Sequence, residues 1–314
     1  MLQHLLAVAD LSHSDLAAIL ASARDYKRDP HRSPGLLRGE SVTLYFNKPS
    51  TRTRLSFETA VHRLGGLPIV VGPNDLQMGR GETIEDTARV VSRYSRVFVT
   101  RTYQDAEIRR FSRAASIPVI NALTNGHHPC QALADMLTLE EEFGAIRGLT
   151  VAYVGAGNNV THSLMEACAL GGAHCRIGAP PDLGPEPQIL ARARAMAAHT
   201  GGSVEVFEDP VGAVAGADAV YTDTWHSMGD PEEEREARSR VLAPYRVDEA
   251  LMARAAPRAI FLHCLPAHRG EEVTDEVADS PASRIFRQAE NKLHTSMAIL
   301  DALVSQSLEG GGAH

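Results

Sequence analysis

Apolar and polar positions follow two different spacings along this chain. Apolar residues between positions 16 and 23 repeat every three or four residues, which predicts an amphipathic helix. Ser12 stands before this run and Asp15 follows three residues later, a pairing typical of a capping box at a helix start. The next apolar run, 42–46, is short and rich in strand-forming residues, so it predicts a buried strand.

This alternation of strand-like and helix-like segments continues for most of the chain. Strand-like runs rich in Val, Ile and Leu, separated by helical segments, indicate parallel sheets covered by helices. In the first part, strands are predicted at 42–46, 68–71, 97–100 and 118–121, and helices near 57–64, 84–94, 105–115 and 129–143. In the second part, strands are predicted at 149–154, 175–178, 204–207, 219–222 and 259–263, with helices between them.

A length of 314 residues suits about two domains. The glycine-bearing segment 142–148 separates the two blocks, and a final helix is long enough to cross back to the first one. The expected fold class is α/β, with two doubly wound domains that each hold a mainly parallel sheet flanked by helices. We expect residues 1–145, completed by a C-terminal helix at about 285–314, to form the first domain and residues 146–284 to form the second.

Composition narrows the classes of partner and compartment. A net charge of −8 disfavours nucleic acids and anionic membranes, because both select basic surfaces. The four cysteines form no C-x-x-C pair, which fits a reducing, cytoplasmic setting. Neither a signal peptide nor an apolar run of roughly 18 residues stands out, so no membrane association is expected.

The segment Ser50-Thr-Arg-Thr-Arg54 follows a predicted strand and opens a predicted helix. Ligands bind at the carboxyl ends of strands in doubly wound sheets, and a helix N-terminus attracts anions. Three hydroxyls and two guanidinium groups add to that attraction, so the segment predicts a phosphate site without a P-loop. An ordinary helix cap followed by solvated arginines remains the alternative.

Two histidine motifs also lie next to predicted strands or helices. His128-Pro-Cys-Gln131 precedes a helix, and His128 and Gln131 can donate hydrogen bonds to a carbonyl or phosphate oxygen. A metal site at His127 and His128 is weaker, since no carboxylate or cysteine spacing supports it. The run His263 to Arg269 follows a strand, and its Cys264 is either a functional thiol or an inert buried one.

Two further segments point to a small zwitterionic ligand. Gly155-Ala-Gly157-Asn-Asn-Val160 suggests a dinucleotide fingerprint, but Val160 stands where the third glycine belongs, so the asparagine pair suits an amino acid better. Asp223 follows a strand and is placed to hold an ammonium group, and Ser227-Met-Gly229 looks like a loop that closes over a ligand.

Together these motifs, in this order over nearly the whole chain, resemble the aspartate/ornithine carbamoyltransferase family. The segments 223–229 and 263–270 are similar to its ornithine branch. The resemblance implies a transfer of the carbamoyl group from carbamoyl phosphate to the side-chain amine of ornithine, without a cofactor or a metal. It also implies a homotrimer or an assembly of trimers.

The resemblance assigns roles position by position. It makes Arg101, His128 and Cys264 the catalytic residues, with Cys264 as a positioning and polarising group. The implied carbamoyl-phosphate contacts are Ser50, Thr51, Arg52, Thr53, Gln77 (reaching a neighbouring subunit), Arg101, His128, Gln131, Cys264, Leu265 and Lys292. The implied ornithine contacts are Asn159, Asp223, Ser227 and Met228.

Three positions depart from the family pattern: Ala156 replaces an acid, His226 replaces a common valine, and Lys292 replaces an arginine. Lysine keeps the charge of arginine but loses its planar fork, which predicts a weaker hold on carbamoyl phosphate. Three other functions stay open: a sister transferase for putrescine or an acylated ornithine, an NAD-dependent dehydrogenase built on the Gly155 turn, and an inactive regulatory paralogue.

Overall fold

The computed structural model describes residues 2–226 and 232–310. The chain forms two compact units, one of residues up to Leu137 together with those from Glu290 onward, and one of Thr138–Ala289. The chain passes from the first unit to the second, and later back to the first, inside two helices. The first of these boundaries lies before the glycine-bearing segment near residue 145.

The first unit holds a four-stranded sheet in which every pairing is parallel, in the order β2-β1-β3-β4. Its strands are β1 Ser41–Phe46, β2 Leu67–Val71, β3 Val97–Arg101 and β4 Val119–Leu123. Its helices are α1 His13–Arg28, α2 Arg52–Arg63, α3 Ile84–Tyr94, α4 Asp105–Ala114 and most of α5 Pro129–Phe143. Short 3-10 helices lie at Val8–Asp10 and Met78–Arg80.

The second unit holds a five-stranded, wholly parallel sheet in the order β7-β6-β5-β8-β9. Its strands are β5 Thr150–Val154, β6 His174–Gly178, β7 Ser203–Phe207, β8 Ala219–Thr222 and β9 Ile260–His263. Its helices are α6 Asn159–Gly171, α7 Pro187–Thr200, α8 Pro210–Val214, α9 Glu232–Leu242, α10 Glu249–Met252 and α11 Asp275–Ala278, with 3-10 helices at Pro181–Leu183 and Ala243–Tyr245.

The last helix, α12 Ile285–Gly310, starts in the second unit and continues in the first. The predicted fold class is therefore confirmed, including the return of the C-terminal helix to the first unit. Among the residues that the structure describes, no helix is long and apolar enough to cross a membrane.

Local sequence signals explain where several elements begin. The capping box at α1 is formed: Asp15 N–H donates to Ser12 Oγ at 3.1 Å, and Ser12 N–H donates to Asp15 Oδ2 at 2.9 Å. Strands β3 and β4 are buried along their whole length. Strand β3 runs one residue further than predicted and includes Arg101, so this arginine belongs to the sheet itself.

Candidate active site

In the first unit, β1 has β2 on one side and β3 on the other, so the connections to the two neighbours lead in opposite directions along the sheet. Phe46 pairs with Arg101 at this point, and Asn47 N–H donates to the Arg101 carbonyl at 2.8 Å. A reversal of this kind opens a crevice beyond the carboxyl ends of the two strands, where doubly wound folds bind their ligands. The structure thus places the loop after β1 and the end of β3 beside each other at the expected binding edge.

The Ser50 to Thr53 segment lies in this loop and in the first turn of α2. The helix begins at Arg52, and the Thr51 side chain makes no capping hydrogen bond. Thr53 is buried, at 2% exposure. The first N–H groups of a helix have no partner within it and carry the positive end of its dipole, so this turn suits an anion. Arg54 pairs instead with Glu58 along the helix, at 2.6 Å.

Three nitrogen-bearing side chains of the first unit are buried together: Arg101, His128 and Lys292. Burial lowers the pKa of His128 well below its ordinary value, and the charges of Lys292 and Arg101 lower it further. The imidazole is therefore neutral near pH 7, with one N–H to donate. A neutral donor close enough to two cations to be affected by their charges is suited to a polarised carbonyl oxygen next to a phosphate.

Gln131 lies in the first turn of α5 and is nearly fully buried. Its side-chain nitrogen donates to Asp135 Oδ1 at 2.7 Å, which fixes the amide orientation. The buried Gln131 Oε1 accepts no hydrogen bond from any residue in the described ranges. The Oε1 atom of this amide is thus an acceptor suited to an N–H group and not to a phosphate oxygen.

Gln77 lies in the loop after β2, at the start of the short helix Met78–Arg80, and is exposed. Its implied reach into a neighbouring subunit stays a prediction.

Lys48 is a cation near this edge that was not among the predicted site residues. Its Nζ lies 4.2 Å from the centre of the Tyr103 ring and donates to Asn125 Oδ1 at 2.6 Å. Burial and the charge of Arg101 lower its pKa; its position two residues before Ser50 was the available signal.

In the second unit, strand order reverses between β5 and β8, and the Asn158 and Asp223 side chains meet there. Asn158 caps α6 by accepting from Val160 N–H at 2.9 Å and Thr161 N–H at 3.0 Å. Its side-chain nitrogen donates to Asp223 Oδ2 at 2.8 Å. Asn159 is the first residue of α6. The sequence pointed to the asparagine pair, and the structure shows that Asn158 orients the Asp223 carboxylate; the implied contact of Asn159 with ornithine stays a prediction.

Asp223 is also bound by the thiol of Cys264, which donates to its Oδ1 at 2.9 Å. A thiol that donates to a carboxylate keeps its proton, and a thiolate there would face a negative charge. This geometry favours a positioning role for Cys264 over a nucleophilic one. Asp223, at 9% exposure, is thus a carboxylate with both oxygens oriented and its charge not neutralised by either partner.

The same place offers a cluster of ligand atoms on Asp223, His263 and Cys264 that lie within 4.8 Å of one another. Both ring nitrogens of His263 already take part in hydrogen bonds, with Leu265 N–H and with Glu272. A metal ion at His263 would have to displace one of these bonds. The hydrogen-bonded arrangement therefore accounts for the cluster.

Leu265 follows Cys264 with a φ of +59°, and it is the one non-glycine residue with positive φ in the part of the chain that the structure describes. A leucine in this region is strained, and such residues concentrate at functional sites. The predicted contacts Ser227 and Met228 lie outside the described residues. The neighbouring His226 is described, and its Nε2 lies 2.9 Å from Ser239 Oγ.

The glycine turn after β5 is closed by the chain's own backbone. A Cβ on Gly157 would lie 2.5 Å from the carbonyl carbon of Gly184, and Gly157 N–H donates to Leu183 O at 2.7 Å. In a dinucleotide fingerprint, the second glycine admits the pyrophosphate. Here the space is filled by residues 183–185, which removes the feature that suggested a dehydrogenase.

Comparison with known proteins gives the same family for both units. Residues 3–141 match the family model described as the aspartate/ornithine carbamoyltransferase carbamoyl-P binding domain, and residues 147–303 match the corresponding Asp/Orn binding domain. An ornithine carbamoyltransferase of Acidothermus cellulolyticus is 50% identical over 304 residues, 97% of each chain.

Solved structures agree with the sequence comparison. The ornithine carbamoyltransferase from Pyrococcus furiosus superposes with a TM-score of 0.93 at 44% identity, covering 97% of each chain. An N-acetyl-L-ornithine transcarbamylase variant is more distant, at 33% identity and a TM-score of 0.87, covering 96% of this chain and 100% of the other. The chain therefore belongs to the aspartate/ornithine carbamoyltransferase family.

Proposed function

We propose that this enzyme transfers the carbamoyl group of carbamoyl phosphate to the δ-amine of L-ornithine, giving L-citrulline and phosphate. The observation that carries the choice of amine is Asp223, an oriented buried carboxylate at the ligand-binding edge of the second sheet. An α-ammonium group is the natural partner of such a carboxylate.

Carbamoyl phosphate is assigned to the first unit. In this proposal, its phosphate sits at the N-terminus of α2, where Ser50 to Thr53 supply hydroxyls and backbone N–H groups. Arg101 and neutral His128 donate to the carbonyl oxygen and stabilise the charge that develops there during attack. The carbamoyl N–H₂ donates to the buried Gln131 Oε1.

The amine must lose a proton before it attacks, because its ordinary pKa is about 10.4, like that of lysine. The cations Arg101, Lys292 and Lys48 disfavour a further positive charge and so favour the neutral amine. Attack on the carbonyl carbon gives a tetrahedral intermediate, from which the C–O bond to phosphate breaks. The first proton, on the ammonium group, is released to solvent as the amine binds. The second proton, on the attacking nitrogen, passes to the departing phosphate, so that no protein side chain is needed as the base.

The test is an assay of carbamoylated product with carbamoyl phosphate and four amines: ornithine, putrescine, N-acetylornithine and aspartate. We expect ornithine to exceed each other amine in kcat/KM by about 100-fold or more. Putrescine and N-acetylornithine would leave the buried Asp223 without an α-ammonium partner, which costs about 3 kcal/mol, and aspartate has no side-chain amine to attack. A higher kcat/KM for N-acetylornithine or putrescine would transfer the proposal to that amine. No carbamoylation of any amine would refute it.

A further inference from the structure

Beyond the groups that face the substrates, the second unit contains a buried His263–Glu272 pair. Both side chains have 0% exposure, and His263 Nε2 lies 3.0 Å from Glu272 Oε1. The same Glu272 oxygen accepts the backbone N–H of His268 at 2.6 Å. One carboxylate oxygen therefore binds both ends of the segment 263–268.

The hydrogen bonds determine which nitrogen of His263 carries the proton. Leu265 N–H donates to His263 Nδ1 at 2.8 Å, so Nδ1 is an acceptor. In a neutral imidazole the other nitrogen then bears the hydrogen, and it donates to Glu272. The negative charge of Glu272 stabilises this tautomer, which is the one that can accept the Leu265 N–H.

The hydrogen bond from Leu265 N–H to His263 also affects Cys264, the residue of this loop that contacts Asp223. Leu265 has the positive φ noted above, a conformation that needs support from its surroundings. Cys264 lies between His263 and Leu265, and its thiol donates to Asp223. The position of the Cys264 thiol thus depends on the Cys264–Leu265 turn, which the His263 side chain stabilises through its hydrogen bond with Leu265 N–H.

The protein supports this pair from a second direction. The backbone N–H of His263 donates to Gln288 Oε1 at 3.0 Å, and Gln288 Nε2 donates to Tyr221 Oη at 3.0 Å. Glu272 Oε2 is buried and accepts no hydrogen bond from the residues in the described ranges. Burying a carboxylate with one oxygen outside any such hydrogen bond lowers the stability of the fold. Glu272 is therefore better explained by a role in function than by a contribution to stability.

We infer that Glu272 and His263 are positioning residues for the amine substrate. They hold the Cys264–Leu265 turn in the conformation in which the thiol orients Asp223, and they do so through the tautomer of His263. This inference rests on the proposed function, since it concerns the same amine site.

The test compares variants that keep or remove the acceptor at the Nδ1 position. In His263→Asn, the side-chain oxygen takes the place of Nδ1 and can still accept the Leu265 N–H; in His263→Leu no acceptor remains. We expect kcat/KM for ornithine to fall about 100-fold in His263→Leu and to recover by about tenfold in His263→Asn. His268→Asn, a half-exposed side chain of the same segment, is the matched control and should stay within about twofold of wild type.

Glu272→Gln keeps the shape of the side chain and provides a second test should His263→Leu fail to fold. We expect about a tenfold loss in kcat/KM for ornithine with an unchanged KM for carbamoyl phosphate, because a neutral amide no longer selects the tautomer. A purely structural role would instead lower the thermal midpoint and the active fraction without a change in KM for ornithine.

Equal kcat/KM in His263→Asn and His263→Leu, or an unaffected Glu272→Gln, would overturn the inference. Wild-type enzyme serves to separate the two hypotheses. If wild type carbamoylates no amine, the proposed function fails; if it is active and these variants match it, only the positioning role fails. Should wild type prefer another amine of the panel, the variants are assayed with that amine.

Discussion

The thiol of Cys264 and the carboxylate of Asp223 are joined by a 2.9 Å hydrogen bond across two neighbouring strands. Thr222 and His263 are paired at the ends of β8 and β9, so Asp223 and Cys264 are the first residues beyond the sheet on each strand. Parallel pairing therefore brings together two residues that are far apart in sequence. The thiol is a neutral donor, so this bond orients the carboxylate without offsetting its negative charge.

Asp223→Asn tests the importance of this charge. The amide keeps the size of the side chain but loses the negative charge that an ammonium group requires. We expect kcat/KM for ornithine to fall by about 10- to 100-fold, in line with about 1.5–3 kcal/mol for a charged hydrogen bond. The dissociation constant of carbamoyl phosphate, measured by calorimetry, should stay unchanged. An unaltered KM for ornithine would contradict the assignment.

Cys264 is expected to act without a covalent intermediate. In Cys264→Ser, the hydroxyl can still donate to Asp223, so we expect ornithine binding to persist and kcat to fall by about tenfold. Quenching the wild-type enzyme during turnover with radiolabelled carbamoyl phosphate should leave no label on the protein. Recovery of a carbamoyl thioester on Cys264 would refute the positioning role.

The sequence pattern predicted the positions of most strands because buried parallel strands have distinct apolar runs. From those positions it followed that Ser50, Arg101 and His128 lie at carboxyl ends of strands or at helix starts, as the structure has them. The assignment of these residues to a carbamoyl-phosphate site came from the family resemblance. Their combined effect, a neutral His128 influenced by the charges of Arg101 and Lys292, depends mainly on burial, which the local sequence does not report.

Pairings between distant residues were beyond the sequence pattern. The His263–Glu272 pair and the Cys264–Asp223 bond depend on how loops pack after their strands end. Likewise, Asn158 and Asn159 are adjacent and chemically identical, so only the start of α6 decides which one caps the helix and which one follows. At Gly157, the sequence already disfavoured a dinucleotide turn because Val160 replaces the third glycine, and the close approach of Gly184 adds a physical reason that only the fold provides.

Lys292 is the position where an arginine would be expected in this family. It is buried at 4% exposure, and its charge acts on His128. In Lys292→Arg, the planar fork can make two hydrogen bonds to a phosphate, so we expect carbamoyl phosphate to bind about three- to tenfold more tightly. Lys292→Met, which has a similar length and no charge, should weaken binding by at least about tenfold. An unchanged dissociation constant in Lys292→Arg would count against the hypothesis that lysine weakens binding.

The lowered pKa of His128 predicts a dependence of stability on pH. Burial is the main cause, followed by Lys292 and Arg101, so the folded protein resists protonation while the unfolded chain accepts a proton near pH 6.5. The stabilising contribution is therefore complete above about pH 6.5 and is lost as the pH falls toward the lower folded value. Between pH 6.5 and 5.5 this amounts to about 1 kcal/mol in the free energy of unfolding.

His128→Asn removes this titration and leaves the other histidines with lowered pKa values in place. The pKa values of His4 and His294 are also lowered by burial, but their effects are the same in both proteins and cancel in the difference. We expect urea unfolding to show that wild type loses about 1 kcal/mol more than His128→Asn when the pH is lowered from 6.5 to 5.5. Equal losses in the two proteins would mean that His128 takes up a proton as easily when folded as when unfolded. A neutral donor at the carbonyl oxygen would then no longer be supported.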